Sequence, residues 1–248
     1  KPMKIFRYIL SPLYHLWFYL LVFITTMVLS PFLLFSTIKE SWYPQFYKVA
    51  RIWSTMILFG MGTIPKIQKK QDYIYKDSLM FVANHRSMLD IMLMYYMVST
   101  PFVFVGKKEL AKIPIFGFFY KRTCILVDRN SMRSKSAVMK EATRRINNGL
   151  SVCIFPEGRI PDDTSIVLDR FKDGAFRLAI EHKIPIAALV FHDNGKRFPY
   201  DIFNGAPGRL RVEMLPVIET KDTSITDRFI IRDSVRNQIL ERLENPAR

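Results

Sequence analysis

A chain of 248 residues, 49% of them hydrophobic, has room for one α/β domain with a core that needs no disulfides, plus an appendage. Two cysteines, both in short apolar runs ("TCILVD", "SVCIF"), suit buried free thiols in a reducing compartment, and with four scattered histidines they make no zinc pattern. A net charge of +15 is compatible with nucleic acid, an anionic membrane or an anionic substrate, and the placement of the charges selects among them.

Residues 1–70 carry nine Lys/Arg against a single acid, Glu40, a local net charge of +8. Within them, the 31 residues from Tyr8 to Ile38 hold no Asp, Glu, Lys or Arg, and "LWFYLLVFITTMVLSPFLLF" is as apolar as a membrane segment. As a helix, that run would extend roughly 46 Å, against a hydrocarbon core of about 30 Å. It is too long and too aromatic for a signal peptide, and no A-x-A site follows. Pro31 is expected to kink or end the helix. A second helix is expected over 42–62, where Phe46, Val49, Ile52, Trp53, Met56 and Ile57 recur at three and four. Lys48 and Arg51 would mark its wet side, and Trp42, Tyr43 and Trp53 would suit a headgroup boundary. A hairpin dipped into one leaflet, or one spanning helix followed by a surface helix, both fit. In each, the basic face meets anionic cytoplasmic lipid.

After "PKIQKKQ" strands and helices alternate. Strands are expected at 78–83, 102–105, 124–128, 151–155, 186–191 and 209–215, and helices at 86–98, 131–148, 173–182 and 227–243. The expected architecture is α/β, a mixed and largely parallel sheet flanked by helices, behind an N-terminal membrane-embedded two-helix motif. The expected division is 1–66 for the membrane-associated helices and 67–248 for the catalytic domain. "HDNGKRFPYDIFNGAPG", 192–208, is a turn-rich loop.

Four stretches carry candidate chemistry. In "FVANHRSMLDIMLMYYM", His85 and Asp90 would lie about 140° apart on a regular helix. They meet only if His85 precedes the helix, at a strand's carboxyl end, with Ser87 or Asn84 as cap and Asp90 reaching back to the ring. A carboxylate on one ring nitrogen leaves the other free to accept a proton. The chain has no G-x-S-x-G, so such a base would activate a hydroxyl of a substrate. The bland alternative is a histidine satisfied at a helix start. In "CIFPEGRIPDD", Pro156 stops the strand and Gly158 permits a turn close to a ligand. Glu157 and Arg159 then suit a substrate with hydroxyls and a phosphate, although an ordinary strand-end turn has the same look. In "ILVDRNS", Arg129 again follows a strand, and Asn130 or Ser131 suits the cap of the next helix; taken alone, a surface salt bridge with Asp128 is the favoured reading of this arginine. In "FKDGAFRLAIEHKIPIAALVF" the scaffold reading is favoured, with Lys172 and Gly174 placed to border an anion site.

Together and in this order these stretches resemble the glycerophospholipid acyltransferase family, and within it the bacterial 1-acyl-glycerol-3-phosphate acyltransferases. Asn84, His85 and Asp90 match N-H-x4-D, and Phe155, Pro156, Glu157 and Gly158 match F-P-E-G, with Arg159 following. "TCILVDR" matches the second block with Thr123 where glycine is usual, and the fourth keeps Pro185 but replaces the second proline. The resemblance covers roughly 70–220. It implies transfer of a fatty acyl group from acyl carrier protein or acyl-CoA to the free hydroxyl of a lysophospholipid, 1-acyl-glycerol-3-phosphate giving phosphatidic acid. His85 and Asp90 would deprotonate the hydroxyl. Arg129, Glu157 and Arg159 would bind the glycerol phosphate. No metal and no other cofactor is implied, and no nucleic acid partner. The expected location is the cytoplasmic face of the cell inner membrane, anchored by the N-terminal helices. A lyso-aminolipid acceptor (ornithine or glycine lipid), a lipid hydrolase and an inactive membrane adaptor are the alternatives.

Overall fold

The charge-free run folds as one helix, α1, Pro2–Ser36. Pro31 lies inside it instead of ending it. Proline has no N–H to offer the carbonyl four residues back, that of Met27. Ser30 Oγ donates to that carbonyl at 2.8 Å, so the helix runs on with the lost bond replaced. The computed structural model describes residues 2–69, 77–128, 130–161, 163 and 165–246. The chain divides into two compact units: Lys1–Gln68, Arg86–Ser99 and Phe191–Val212 in the first, and Lys69–His85, Thr100–Val190 and Glu213–Arg248 in the second.

The first unit holds α1, α2 (Tyr43–Gly60), α3 (Leu89–Met97), the short α7 (Asn194–Arg197), strand β1 (Thr63–Lys69) as far as Gln68, and the start of β7 (Gly208–Met214). The expected two-helix membrane motif is not found. Among the described residues one helix, over Tyr8–Ser36, is long and apolar enough to cross a membrane. The reason lies in α2, which is amphipathic: Tyr43, Phe46, Tyr47, Trp53, Ile57 and Leu58 are buried by protein, whereas Ile52, Met56 and Phe59 are exposed. Trp53 Nε1 donates to Thr26 Oγ1 of α1 at 3.1 Å, and Tyr47 Oη donates to Val98 O at 3.0 Å. Arg51, expected on the wet side, instead donates from Nε and Nη2 to the carbonyls of Tyr95 and Tyr96, at 3.2 and 3.3 Å. It thereby satisfies orphan carbonyls at the end of α3 and complements the negative end of its dipole. Along α1, Tyr8, Leu13, Leu16, Phe23, Val28, Phe32 and Phe35 stay exposed, so this helix supports membrane anchoring.

The second unit is built on parallel strands. β2 (Met80–Ala83) pairs with β5 (Ser151–Ile154) on one side and β6 (Ile186–Phe191) on the other, β5 pairs with β3 (Phe102–Lys107), and β3 with β4 (Ile125–Val127). All four pairings are parallel. Ile186 bridges Ile218 in the antiparallel sense, so the sheet is mixed, as the sequence implied. Every residue of β2 and β6 is buried, the pattern of strands covered on both faces. α4 (Phe116–Thr123), α5 (Met132–Asn147), α6 (Gly174–Glu181) and α8 (Arg228–Glu244) complete the unit. Ser131 caps α5, its Oγ accepting from Ser134 N at 3.2 Å. Cys153 is a free, buried thiol, and burial pushes it well above the usual thiol range; Cys124 is also free. Because β2 and β5 are parallel neighbours, their carboxyl ends emerge side by side, and both sequence motifs begin there.

Candidate active site

In the second unit, the turn after β5 grips His85, two residues beyond the end of β2. Glu157 Oε1 accepts the backbone N–H of His85 at 2.8 Å, and Oε2 accepts that of Asp169 at 2.9 Å. The carboxylate is buried, so these charge-assisted bonds act where the local dielectric strengthens them. The His85 ring stacks on Phe155, centroids 4.1 Å apart and 11° from coplanar. His85 therefore has its main chain held by Glu157 and one ring face by Phe155, in a half-buried position.

Gly158 adopts φ +75, and a Cβ there would meet Lys172 Nζ at 2.6 Å. Glycine thus serves both the left-handed turn and the close passage of Lys172. Lys172 N also donates to Pro156 O at 2.8 Å, so this lysine belongs to the same corner. Arg159 is 61% exposed in its side chain, with Nε 3.9 Å from Asp169 Oδ2. The Asp169 loop is tied down by Arg236 of α8, which donates to the carbonyls of Leu168 and Asp169 at 2.7 and 3.0 Å. The second unit thus gathers His85, Glu157, Gly158, Arg159 and Lys172 around one strand-end corner. Arg129 lies outside the described residues.

In the first unit, Asp90 sits in the first turn of α3, fully buried. Its Oδ2 accepts from Arg86 N at 2.7 Å and Ser87 N at 3.0 Å, and its Oδ1 accepts from Asn194 Nδ2 at 2.6 Å. Two amide donors upstream of the helix turn toward this carboxylate, which explains why α3 starts at Leu89 and not at 86 as expected. The N-cap position of α3 is Met88 and not the expected Ser87 or Asn84; Ser87 Oγ, one residue earlier, accepts from Leu89 N at 3.1 Å and donates to Phe198 O at 2.7 Å. Gly195 lets α7 lie against this segment, since a Cβ there would come within 2.9 Å of Arg86 Cβ. Beside Asn194, Asp193 is gripped by Arg211 through both carboxylate oxygens, at 2.9 Å each. Burial pushes the Asp193 carboxyl up, but the Arg211 side-chain and backbone bonds outweigh it and hold the group below the usual carboxylate range. Sequence reasoning missed Asn194, Asp193 and Asp169. The first two lie in "HDNG", whose composition signals only a turn. Among the described residues no three His, Cys, Asp or Glu side chains gather as a metal site.

Residues 65–192 match the Acyltransferase protein family, and the chain belongs to it. The 1-acyl-sn-glycerol-3-phosphate acyltransferase of Haemophilus influenzae is 36% identical over 135 residues, which is 54% of this chain and 55% of that protein's length. The enzyme of the same description from Borreliella burgdorferi is 26% identical over 192 residues, 76% of this chain and 72% of the relative. The crystal structure of the 1-acyl-sn-glycerophosphate acyltransferase from Thermotoga maritima superimposes with a TM-score of 0.78 at 20% identity, over 98% of this chain and 97% of that one, which shows a common fold.

Proposed function

We propose that this chain is an acyltransferase that moves a fatty acyl group from acyl carrier protein or acyl-CoA to the free hydroxyl of a lysophospholipid, 1-acyl-glycerol-3-phosphate, giving phosphatidic acid. The observation that carries the reading is the grip of Glu157 on His85, with the bond at 2.8 Å across 72 residues and the ring stacked on Phe155. It sets a histidine beside a turn rich in groups that bind hydroxyls and phosphate. The relatives of matching sequence, described as 1-acyl-sn-glycerol-3-phosphate acyltransferases, support the same reading.

In this reading one ring nitrogen of His85 takes the proton of the acceptor hydroxyl as its oxygen attacks the thioester carbonyl. Asp90 is assigned the other nitrogen, fixing the tautomer and stabilising the imidazolium. Collapse of the tetrahedral adduct breaks the C–S bond. The thiolate leaves with the proton carried by His85, so ester and free thiol form with no net change at the enzyme. Arg159 and Arg129 take the phosphate, with Lys172 as a third cation over the Gly158 turn. Glu157, held by the His85 and Asp169 amides, is assigned to the glycerol end of the acceptor. By role, residues 1–66 supply attachment and 67–248 the chemistry, on the cytoplasmic face of the inner membrane where the donor is soluble and the acceptor is in the bilayer.

Incubating the purified protein with lysophosphatidate and a labelled acyl thioester tests the reading. Labelled phosphatidate is the expected product. Labelled free acid would point to a hydrolase, and no turnover with either carrier would overturn the assignment. Parallel incubation with lyso-ornithine lipid identifies an aminolipid acceptor if that one is preferred.

A further inference from the structure

Between α7 and β7 the first unit carries the segment "FPYDIFNGAP", 198–207. A loop with this many large apolar side chains is expected to turn them inward. Instead Tyr200, Ile202 and Phe203 are exposed by 61%, 49% and 45%. The loop is firmly seated. Phe198 is buried between His15 and Phe18 of α1, with centroids 4.4 Å from each ring. Asn204 O lies 2.9 Å from His15 Nε2, and the Phe203 ring meets Tyr8 edge-on at 5.4 Å. Asp201 braces the tip through Phe203 N, at 3.0 Å, and the Asn204 side-chain amide. Gly205 closes the loop at φ +121, where a side chain would be strained. The apolar tip is thus held outward by its own scaffold.

Its neighbours define what covers it. Through the Tyr8–Phe203 contact the tip continues the exposed flank formed by Tyr8, Ile9, Leu10 and Leu13, which belongs to the one helix among the described residues apolar enough to cross a membrane. Lys196 and Arg209, both exposed, flank the loop along the chain. An apolar tip continuous with a membrane helix and flanked by cations matches an anionic bilayer surface.

We propose that the 198–207 loop is a second lipid-inserting element, placing Tyr200, Ile202 and Phe203 at the boundary of headgroups and acyl chains beside α1. The loop also touches the start of α3, since Ser87 Oγ donates to Phe198 O at 2.7 Å and Tyr200 Oη to Met88 Sδ at 3.4 Å. Bilayer seating therefore sets the position of the segment that leads into Asp90. The lipid contact does not depend on the acyl-transfer reading, and its test does not use activity.

The full chain, with Cys124 replaced by alanine, is reconstituted in phosphatidylcholine–phosphatidylglycerol vesicles. An environment-sensitive fluorophore is placed at Ile202→Cys, at Phe203→Cys, or at the exposed control Lys221→Cys. Lipids bearing a nitroxide on the acyl chain should quench the first two labels several-fold more than the control, and aqueous iodide should quench them less. Equal quenching at all three positions by both agents would overturn the proposal. Protection from iodide without nitroxide quenching would mean that protein covers the tip, and would overturn it as well. Two tip positions guard against one label disturbing the loop.

Discussion

Asn194 Nδ2 donates to Asp90 Oδ1 at 2.6 Å, joining two fully buried side chains 104 residues apart in sequence. The other oxygen of Asp90 takes two backbone amides, and Asn194 adds a side-chain donor to this carboxylate. Asn194 Oδ1 is buried with no partner among the described residues, a cost of about 1–3 kcal/mol that a purely structural position would gain little by keeping.

Asn194→Ala removes a hydrogen bond to a charged acceptor, worth about 1.5–3 kcal/mol. If that bond orients Asp90 in the transition state, turnover falls on the order of tenfold to a hundredfold while the KM for the thioester is unchanged. Steady-state kinetics on the labelled-thioester assay read this directly. Unchanged turnover in a folded variant would mean that Asp90 does not need the Asn194 donor.

Glu157 and Arg159 flank Gly158 but should fail differently. Glu157→Gln swaps one acceptor for an N–H facing the amide of His85 or of Asp169, so it should destabilise the fold by about 1–3 kcal/mol and lower turnover together. Arg159→Ala, at a side chain largely in solvent, should leave the thermal midpoint in place and raise the KM for lysophosphatidate roughly tenfold through loss of a charge-assisted contact. An unchanged KM would move the phosphate to another cation.

The Asp193–Arg211 pair predicts a pH dependence. The folded carboxyl of Asp193 lies below its unfolded value, so its stabilisation is fully present above about pH 4 and is lost as the pH falls through the folded pKa. Arg211→Met should lower the thermal midpoint at neutral pH by roughly 2–8 °C, from about 1–2 kcal/mol. The gap from the parent protein should close below that window. A gap that stays constant into acid would show that the arginine acts by packing alone.

Attachment through α1 predicts that the protein stays with membranes at about 1 M salt, where screening shrinks to a few ångströms and removes only the electrostatic share. Release into the supernatant at that ionic strength would mean that the basic face, and not the apolar run, holds the chain.

Most strands were legible because buried parallel strands are short apolar runs with clear stops; the expected span 186–191 is that of β6. β1 was missed because Pro65, Lys66 and Gln68 interrupt its apolar pattern, and α4 because Gly117 and four aromatics do not look like a helix. Pro31 misled for a local reason, a serine hydroxyl standing in for the missing amide partner. Lys48 and Arg51 were read together as a wet face, but only the tertiary fold shows Arg51 closing α3. His85, Asp90 and the Glu157 turn stood out as candidates through the joint order of their motifs, more than through any one spacing. No local pattern could expose Asn194, whose role exists only through a partner 104 residues away.

The central claim is that His85 is the base that deprotonates the acceptor hydroxyl. Its most direct test is the turnover number of His85→Ala with lysophosphatidate and labelled acyl thioester, measured beside its thermal midpoint. Loss of a general base costs about 10²–10⁴-fold, so turnover should fall on the order of a thousandfold in a protein that melts at the parent temperature. A folded His85→Ala protein that forms phosphatidate within a few-fold of the parent rate would contradict the account.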